Sequence, residues 1–204
     1  MKKDISTEEK ILDHAGQIFK MKGFSGARMQ EIADSAGINK AMLHYYFRSK
    51  KMLFDKIFEN ILDDFQQNII ITLNDERSWE NKLTALSEKL YMFVYHNEDI
   101  PIFLFNELHM NYNFFSEQLF KFKEIKKSSF FKQFMSEMKK GNIIKTDPLQ
   151  VLVHIFSGII FPVVAKPIIS SMGDLNDKQF DQFLLERKKI VPEIIIQYLK
   201  NTGV

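Results

Sequence analysis

The sequence has no cysteine, a single tryptophan, five prolines and eight glycines among 204 residues. Without cysteine there are no disulfides and no thiolate-ligated metal, which fits a reducing compartment. No glycine-rich phosphate loop is present, and there are no internal repeats, low-complexity segments or strand-like alternations. The five histidines, at 14, 44, 96, 109 and 154, fall at no metal-ligand spacing and in no His-Glu-x-x-His motif. Glu107 and His109 are two apart, so on a helix they face different ways and form no acid–base couple. These absences predict a protein that is not an enzyme and holds no metal or cofactor.

A long apolar run is also missing. Leu149–Ile169 comes nearest, but Gln150, His154 and Lys166 interrupt it, with Pro162 and Pro167 near its end. The segment between His154 and Lys166 is about half the roughly 20 residues a spanning helix needs, so no membrane span is expected. The start, Met1-Lys2-Lys3-Asp4-Ile5-Ser6, does not read as a signal peptide. A cytoplasmic location is the expectation.

Hydrophobic residues make up 45% of the chain, enough for a sizeable core in one or two domains. The net charge of +2 is small, but it is unevenly spread. Met1 to Lys56 holds eleven Lys and Arg against seven Asp and Glu, an excess of four, and the remainder is slightly acidic. That basic excess coincides with the stretch from Met29 to Lys50, which reads as two short helices joined by a tight turn. Ile32 and the small Ala33 give the first helix an apolar face. Gly37 stands where the chain must leave it, because a left-handed residue is cheapest as glycine. Asn39 is a good N-cap for the second helix, in which Leu43 and Phe47 form the inner stripe. Lys40, Ala41, Met42, His44, Tyr45 and Tyr46 are left facing outward. An exposed helix of that composition suits a major groove. Spacing alone also fits an ordinary helical hairpin with a solvated, aromatic-rich face.

Residues from about Ser6 to Phe54 resemble the N-terminal domain of the TetR (tetracycline-repressor) family of bacterial transcription regulators. The resemblance rests on Phe19, Gly23-Phe24, Ile32-Ala33, Ala36-Gly37-Ile38, Lys40, Leu43, Tyr45-Tyr46-Phe47, Ser49-Lys50 and Leu53-Phe54, in order and in register. It covers about a quarter of the chain. Arg28 stands where the family usually has a phosphate-touching Thr or Ser, and His44 where it usually has Tyr; both can contact phosphate.

The other elements read as helices. Ser6 and Glu9 form a capping box for a first helix carrying Ile11, Leu12, Ala15, Ile18 and Phe19, ending near Lys22 with Gly23 as its cap. Ser49 caps a long helix reaching about Thr72, and Ser78 caps one with Leu83, Leu86, Leu90 and Val94 on one face. A Phe-rich helix starts at Pro101 and closes at Gly141-Asn142; its cluster of Lys121, Lys123, Glu124, Lys126 and Lys127 is read as a solvated face. Asp147-Pro148 opens the apolar segment, Ser170 to Asn176 is a loop, and a last helix starts near Asp177, with Pro192 expected to kink it. The fold class is therefore all-α, with about nine helices. The division expected is a DNA-binding domain over 1–48 and a helical ligand-binding and dimerisation domain over 49–204.

The resemblance implies a ligand-responsive transcription regulator, most simply a repressor, released from a palindromic duplex operator when a ligand spreads the reading heads of a homodimer. Arg28, Asn39, Lys40, Ala41, Met42, His44, Tyr45, Tyr46 and Lys50 are the expected DNA-binding residues, with Arg28, Lys40 and Lys50 on phosphates. The aromatic-rich middle points to a hydrophobic small-molecule inducer, with Tyr91, Tyr95, Phe103, Asn106, His109, Met110, Phe114, Phe131, Phe134 and His154 as its lining. Leu149–Ile169 and Phe180–Leu199 are too apolar for a monomer's surface and are expected to pair between subunits, with Gly158 allowing close approach. The alternative is a helical carrier or sensor of hydrophobic small molecules that does not act on DNA.

Overall fold

The computed structural model describes residues 6–96, 100–102, 105 and 124–201. Nine helices are defined among the described residues: α1 Thr7–Gly26, α2 Met29–Ser35, α3 Lys40–Tyr46, α4 Lys50–Asn74, α5 Trp79–His96, α6 Ser129–Lys140, α7 Pro148–Val164, α8 Lys166–Gly173 and α9 Asp177–Lys200. No strand occurs among the described residues. The chain forms two compact units, Met1–Asp64 and Phe65–Val204.

In the first unit the caps and turns follow from the residues named above. Ser6 Oγ accepts from the Glu9 N–H while the Glu9 carboxylate accepts from the Ser6 N–H. Gly23 has φ 67°, which breaks α1, and one further turn follows before Ala27. Ile11, Ala15, Ile18 and Phe19 of α1, Ile32 and Ala33 of α2 and Leu43 of α3 are all buried, with α2 packed against both α1 and α3. The unit extends past residue 48 because α4 completes its core. Phe54 packs edge-on against Phe19 and Phe24, with centroids 5.1 and 4.9 Å apart, and stacks on Phe58. Burying a phenylalanine side chain stabilises by about 1.5–3 kcal/mol, so this cluster is the main anchor of the α4 start.

In the second unit α5, α7 and α9 form the core. Leu83, Leu86, Leu90 and Val94 of α5 pack with Val151, Leu152, Ile155, Ile159 and Val163 of α7, and with Phe180, Leu184, Val191 and Leu199 of α9. The Phe-rich segment does not run on as one helix to Gly141: Ser128 accepts from the Phe131 N–H and starts α6 afresh. Glu124 and Lys127 pair at 2.8 Å in the exposed turn before it. Gly141, at φ 75°, ends α6 as expected. Asp147 Oδ1 accepts from the Leu149 N–H, and Pro148 occupies the first turn of α7.

The apolar segment also differs from the single element expected. Ala165 leaves helical geometry, Pro167 sits in the first turn of α8, and α7 and α8 meet at a bend of 80°. Residues expected as a loop from Ser170 are helical to Gly173, and Asp174 alone takes the left-handed conformation, at φ 49°. No single described helix is long and apolar enough to cross a membrane.

Two internal prolines organise the packing of α7 and α9. A helical proline has no N–H for the carbonyl four residues back. Pro192 thereby frees the Lys188 carbonyl, and the buried Ser87 hydroxyl of α5 donates to it at 2.9 Å. Pro162 likewise frees the Gly158 carbonyl, which accepts from Arg187 Nε of α9 at 2.7 Å. The missing side chain at Gly158 lets Val191 approach: a Cβ there would lie 2.8 Å from Val191 Cγ1. Gly158 is therefore a close approach between α7 and α9 within one chain.

Candidate nucleic-acid interface

The α2–α3 pair is built by local chemistry. At the end of α2 the Gly37 N–H donates to Asp34 O at 3.2 Å and the Ile38 N–H to Ala33 O at 3.0 Å, the pairing of a Schellman motif. Gly37 supplies the positive φ, 69°. Asn39 Oδ1 then accepts from the Met42 N–H at 2.8 Å and starts α3. Leu43 and Phe47 are buried beneath it, leaving Lys40, Ala41, Met42, His44, Tyr45 and Tyr46 exposed on one short helix. Tyr45 is 83% exposed, and its ring meets Tyr46 edge-on at 5.5 Å. Exposed tyrosines beside cations are side chains that a nucleic acid can take through hydrogen bonds to phosphate and sugar.

The cations around α3 have unequal freedom. Arg28 stands at the N-cap of α2, makes no side-chain cap bond and is exposed. Lys40 is exposed at the first position of α3. Lys22 is paired with Glu31, and Lys51 with Asp55 at 2.6 Å. Lys50, expected on phosphate, is turned inward. Its ammonium donates to the carbonyls of Phe24, Ala27 and Ser25 at 2.7, 3.0 and 3.4 Å and lies 4.6 Å from the Phe24 ring centroid. Three donors are all an ammonium has, so Lys50 holds the α1–α2 connection.

Among the described residues, those expected to line an inducer cavity do not converge. Phe103, Asn106, His109, Met110 and Phe114 lie outside the described residues. Phe134 fills the core, wholly buried against Trp79 and Phe130. Phe131 is half-buried against the same cluster. Tyr91 is buried and stacks on the exposed Tyr95 at 5.6 Å; burial pushes its hydroxyl pKa up. His154 is exposed on the outer face of α7, so an inward role is corrected: the helix turns it away from Val151, Leu152 and Ile155. It lines a groove of about 600 Å³ with Gln150, Ser157, Arg187, Ile194 and Tyr198. Tyr95 lines a separate cleft of about 570 Å³. There Lys166, Phe180 and Asp181, none of them expected from sequence to line a ligand site, face Val94 and Leu184. No periodicity links α5 to α8, which is why the cleft was missed.

A capped helix-turn-helix with an exposed, basic and aromatic second helix, in a chain that carries a second helical unit, defines a DNA-binding transcription regulator. Comparison with known proteins agrees. Residues 11–57 match the family described as bacterial regulatory proteins, tetR family. The negative transcriptional regulator IcaR of the biofilm operon icaADBC in Staphylococcus aureus is 33% identical over 101 residues, 50% of this chain and 53% of that one. A probable HTH-type transcriptional regulator of Bacillus subtilis, YttP, is 23% identical over 171 residues, 82% of each chain. The crystal structure of the regulator FadR from Bacillus subtilis in complex with stearoyl-CoA shares the fold at a TM-score of 0.68 and 18% identity, covering 93% of this chain and 98% of that one. Residues 11–57 thus form a DNA-binding domain of the tetR family, and the whole chain shares the fold of solved regulators.

Proposed function

We propose that the protein is a homodimeric repressor whose N-terminal residues 1–48 bind a palindromic duplex operator and whose residues 49–204 dimerise and bind a hydrophobic small molecule that releases it. The observation that carries the assembly is the outer face of α7 and α9. Phe161, Ile194 and Tyr198 are 60%, 61% and 66% exposed, beside Val153 and Leu149. Apolar area of that extent is unusual on a monomer and is covered in an isologous pair. On DNA, Arg28 and Lys40 touch phosphate, while Ala41, Met42, His44, Tyr45 and Tyr46 meet the groove, with Asn39 fixing the start of α3. Two heads about 34–36 Å apart would enter successive major grooves.

The ligand reading draws support from two sources: the relative crystallised with stearoyl-CoA, and the cleft beside Tyr95, where Val94, Val163, Phe180 and Leu184 offer apolar walls around the Lys166 ammonium. No step of this function needs catalysis. The experiment is a thermal-shift screen of hydrophobic compounds, followed by release of the protein from the DNA upstream of its own gene. A compound at a hundredfold excess over its dissociation constant should stabilise the protein by about 2.7 kcal/mol and lower DNA occupancy. Stabilisation without release would favour a carrier or sensor that does not act on DNA.

A further inference from the structure

We infer that Arg48, not Lys50, supplies the phosphate contact of the α3–α4 junction, and that Lys50 is a positioning residue that fixes the α1–α2 connection from which Arg28 projects. This rests on the DNA-binding reading above and names which cations of the junction carry it.

The two side chains are two residues apart, yet the structure uses them differently. The three donors of Lys50 end on the carbonyls of Phe24, Ser25 and Ala27, two of these bonds partly buried, and its ammonium also lies over the Phe24 ring. Swinging it out to a phosphate would strand those carbonyls and break the link between the start of α4 and the segment just before Arg28. Buried carbonyls without a partner are costly, so the inward position is the stable one.

Arg48 is the opposite case. It is exposed, and among the described residues its guanidinium has no ion pair, hydrogen bond or ring contact. Its backbone is tied to the exposed helix, because His44 Nδ1 lies 3.4 Å from the Arg48 carbonyl oxygen. It follows Phe47, the buried end of the α3 stripe, so its position is fixed although its side chain is free. The neighbouring cations Lys22 and Lys51 are each matched by a carboxylate. That leaves Arg28, Lys40 and Arg48 around α3 with charge available for phosphate. Arg also offers a planar fork of donors that can hold two phosphate oxygens at once.

The test is the salt dependence of binding to a duplex of arbitrary sequence, followed by fluorescence anisotropy with the full-length protein. Each phosphate contact contributes about 0.9 to the slope of log K against log salt. Arg48→Ala, at an exposed site that leaves the fold intact, should lower the slope by about 0.9 for each head, and Arg48→Lys should restore most of it. Lys50→Met should weaken binding by the same factor at every salt concentration, with the slope unchanged. A slope unaffected by Arg48→Ala, or lowered as much by Lys50→Met, would overturn the assignment while leaving the DNA-binding reading intact. An unmodified protein whose binding showed no salt dependence would overturn both.

Discussion

Removing the Ser87 hydroxyl is the sharpest probe of how α9 is held. In Ser87→Ala the Lys188 carbonyl loses the hydroxyl that donates to it, and Pro192 has no N–H to offer. The site is partly buried, so the stranded acceptor should cost about 1–2 kcal/mol. For a chain of this size that is about 2–8 °C in Tm. The background decides whether the reasoning is right. In Pro192→Ala the residue at 192 regains an N–H aimed at the same carbonyl, so adding Ser87→Ala should then cost less than ~0.5 kcal/mol. A double-mutant cycle by urea denaturation should therefore show a coupling of about 1 kcal/mol. All four proteins must be compared at one concentration, because the stability of a dimer depends on it. Equal cost of Ser87→Ala in both backgrounds would show that the hydroxyl and the proline are unrelated.

Gly37→Val forces a branched side chain into φ 69° and should destabilise the first unit by about 1–2 kcal/mol, read as loss of DNA binding below the temperature at which the second unit melts. Ile194→Asp with Tyr198→Asp places charge on the exposed α9 face and should convert a dimer to monomers in sedimentation; an unchanged dimer would move the interface elsewhere. Lys82 is wholly buried, donating to Ser129 Oγ at 2.6 Å and Gln133 Oε1 at 3.0 Å. Burial pushes its pKa down from 10.5, with the nearby Asp75 carboxylate pulling it up and Arg77 pushing it further down. The folded state thus gives up the Lys82 proton before the unfolded state does, and the penalty of its charge fades as pH rises toward 10.5. The stability of Lys82→Met relative to the unmodified protein should accordingly fall over that range, and a difference independent of pH would refute the burial effect.

The parts of this fold that were legible in the sequence are those set by chemistry within a few residues. Ser6 with Glu9, Gly37, Asn39, Gly141 and Asp147-Pro148 each act on their own backbone, and each is where its residue type predicts. The Leu83, Leu86, Leu90 and Val94 stripe is legible for the same reason, since helical period alone sets it. What was hidden depends on partners far along the chain. Lys50 looked like a phosphate cation because charge can be read from sequence and its destination, 23 to 26 residues away, cannot. His154 looked inward because its neighbours are apolar, but α7 has an apolar outer face as well as a core face, and composition cannot say which side a residue takes. The break at Ala165 left little trace because Pro167 is tolerated in a first turn and reads equally well as the end of a helix.

The Gly158–Val191 approach has a consequence for how this chain can change over generations. A side chain added at 158 meets Val191 at 2.8 Å, so growth at one position is tolerated only with shrinkage at the other. The same holds for the two prolines and their donors: Pro162 with Arg187, and Pro192 with Ser87, are each sensible only together. Five of these six positions lie on α7 or α9, and Ser87 of α5 completes the last pair. Drift along these helices should therefore proceed in paired steps, with a proline gained or lost alongside its polar partner, while the exposed face of α9 is free to vary one residue at a time until a second subunit constrains it.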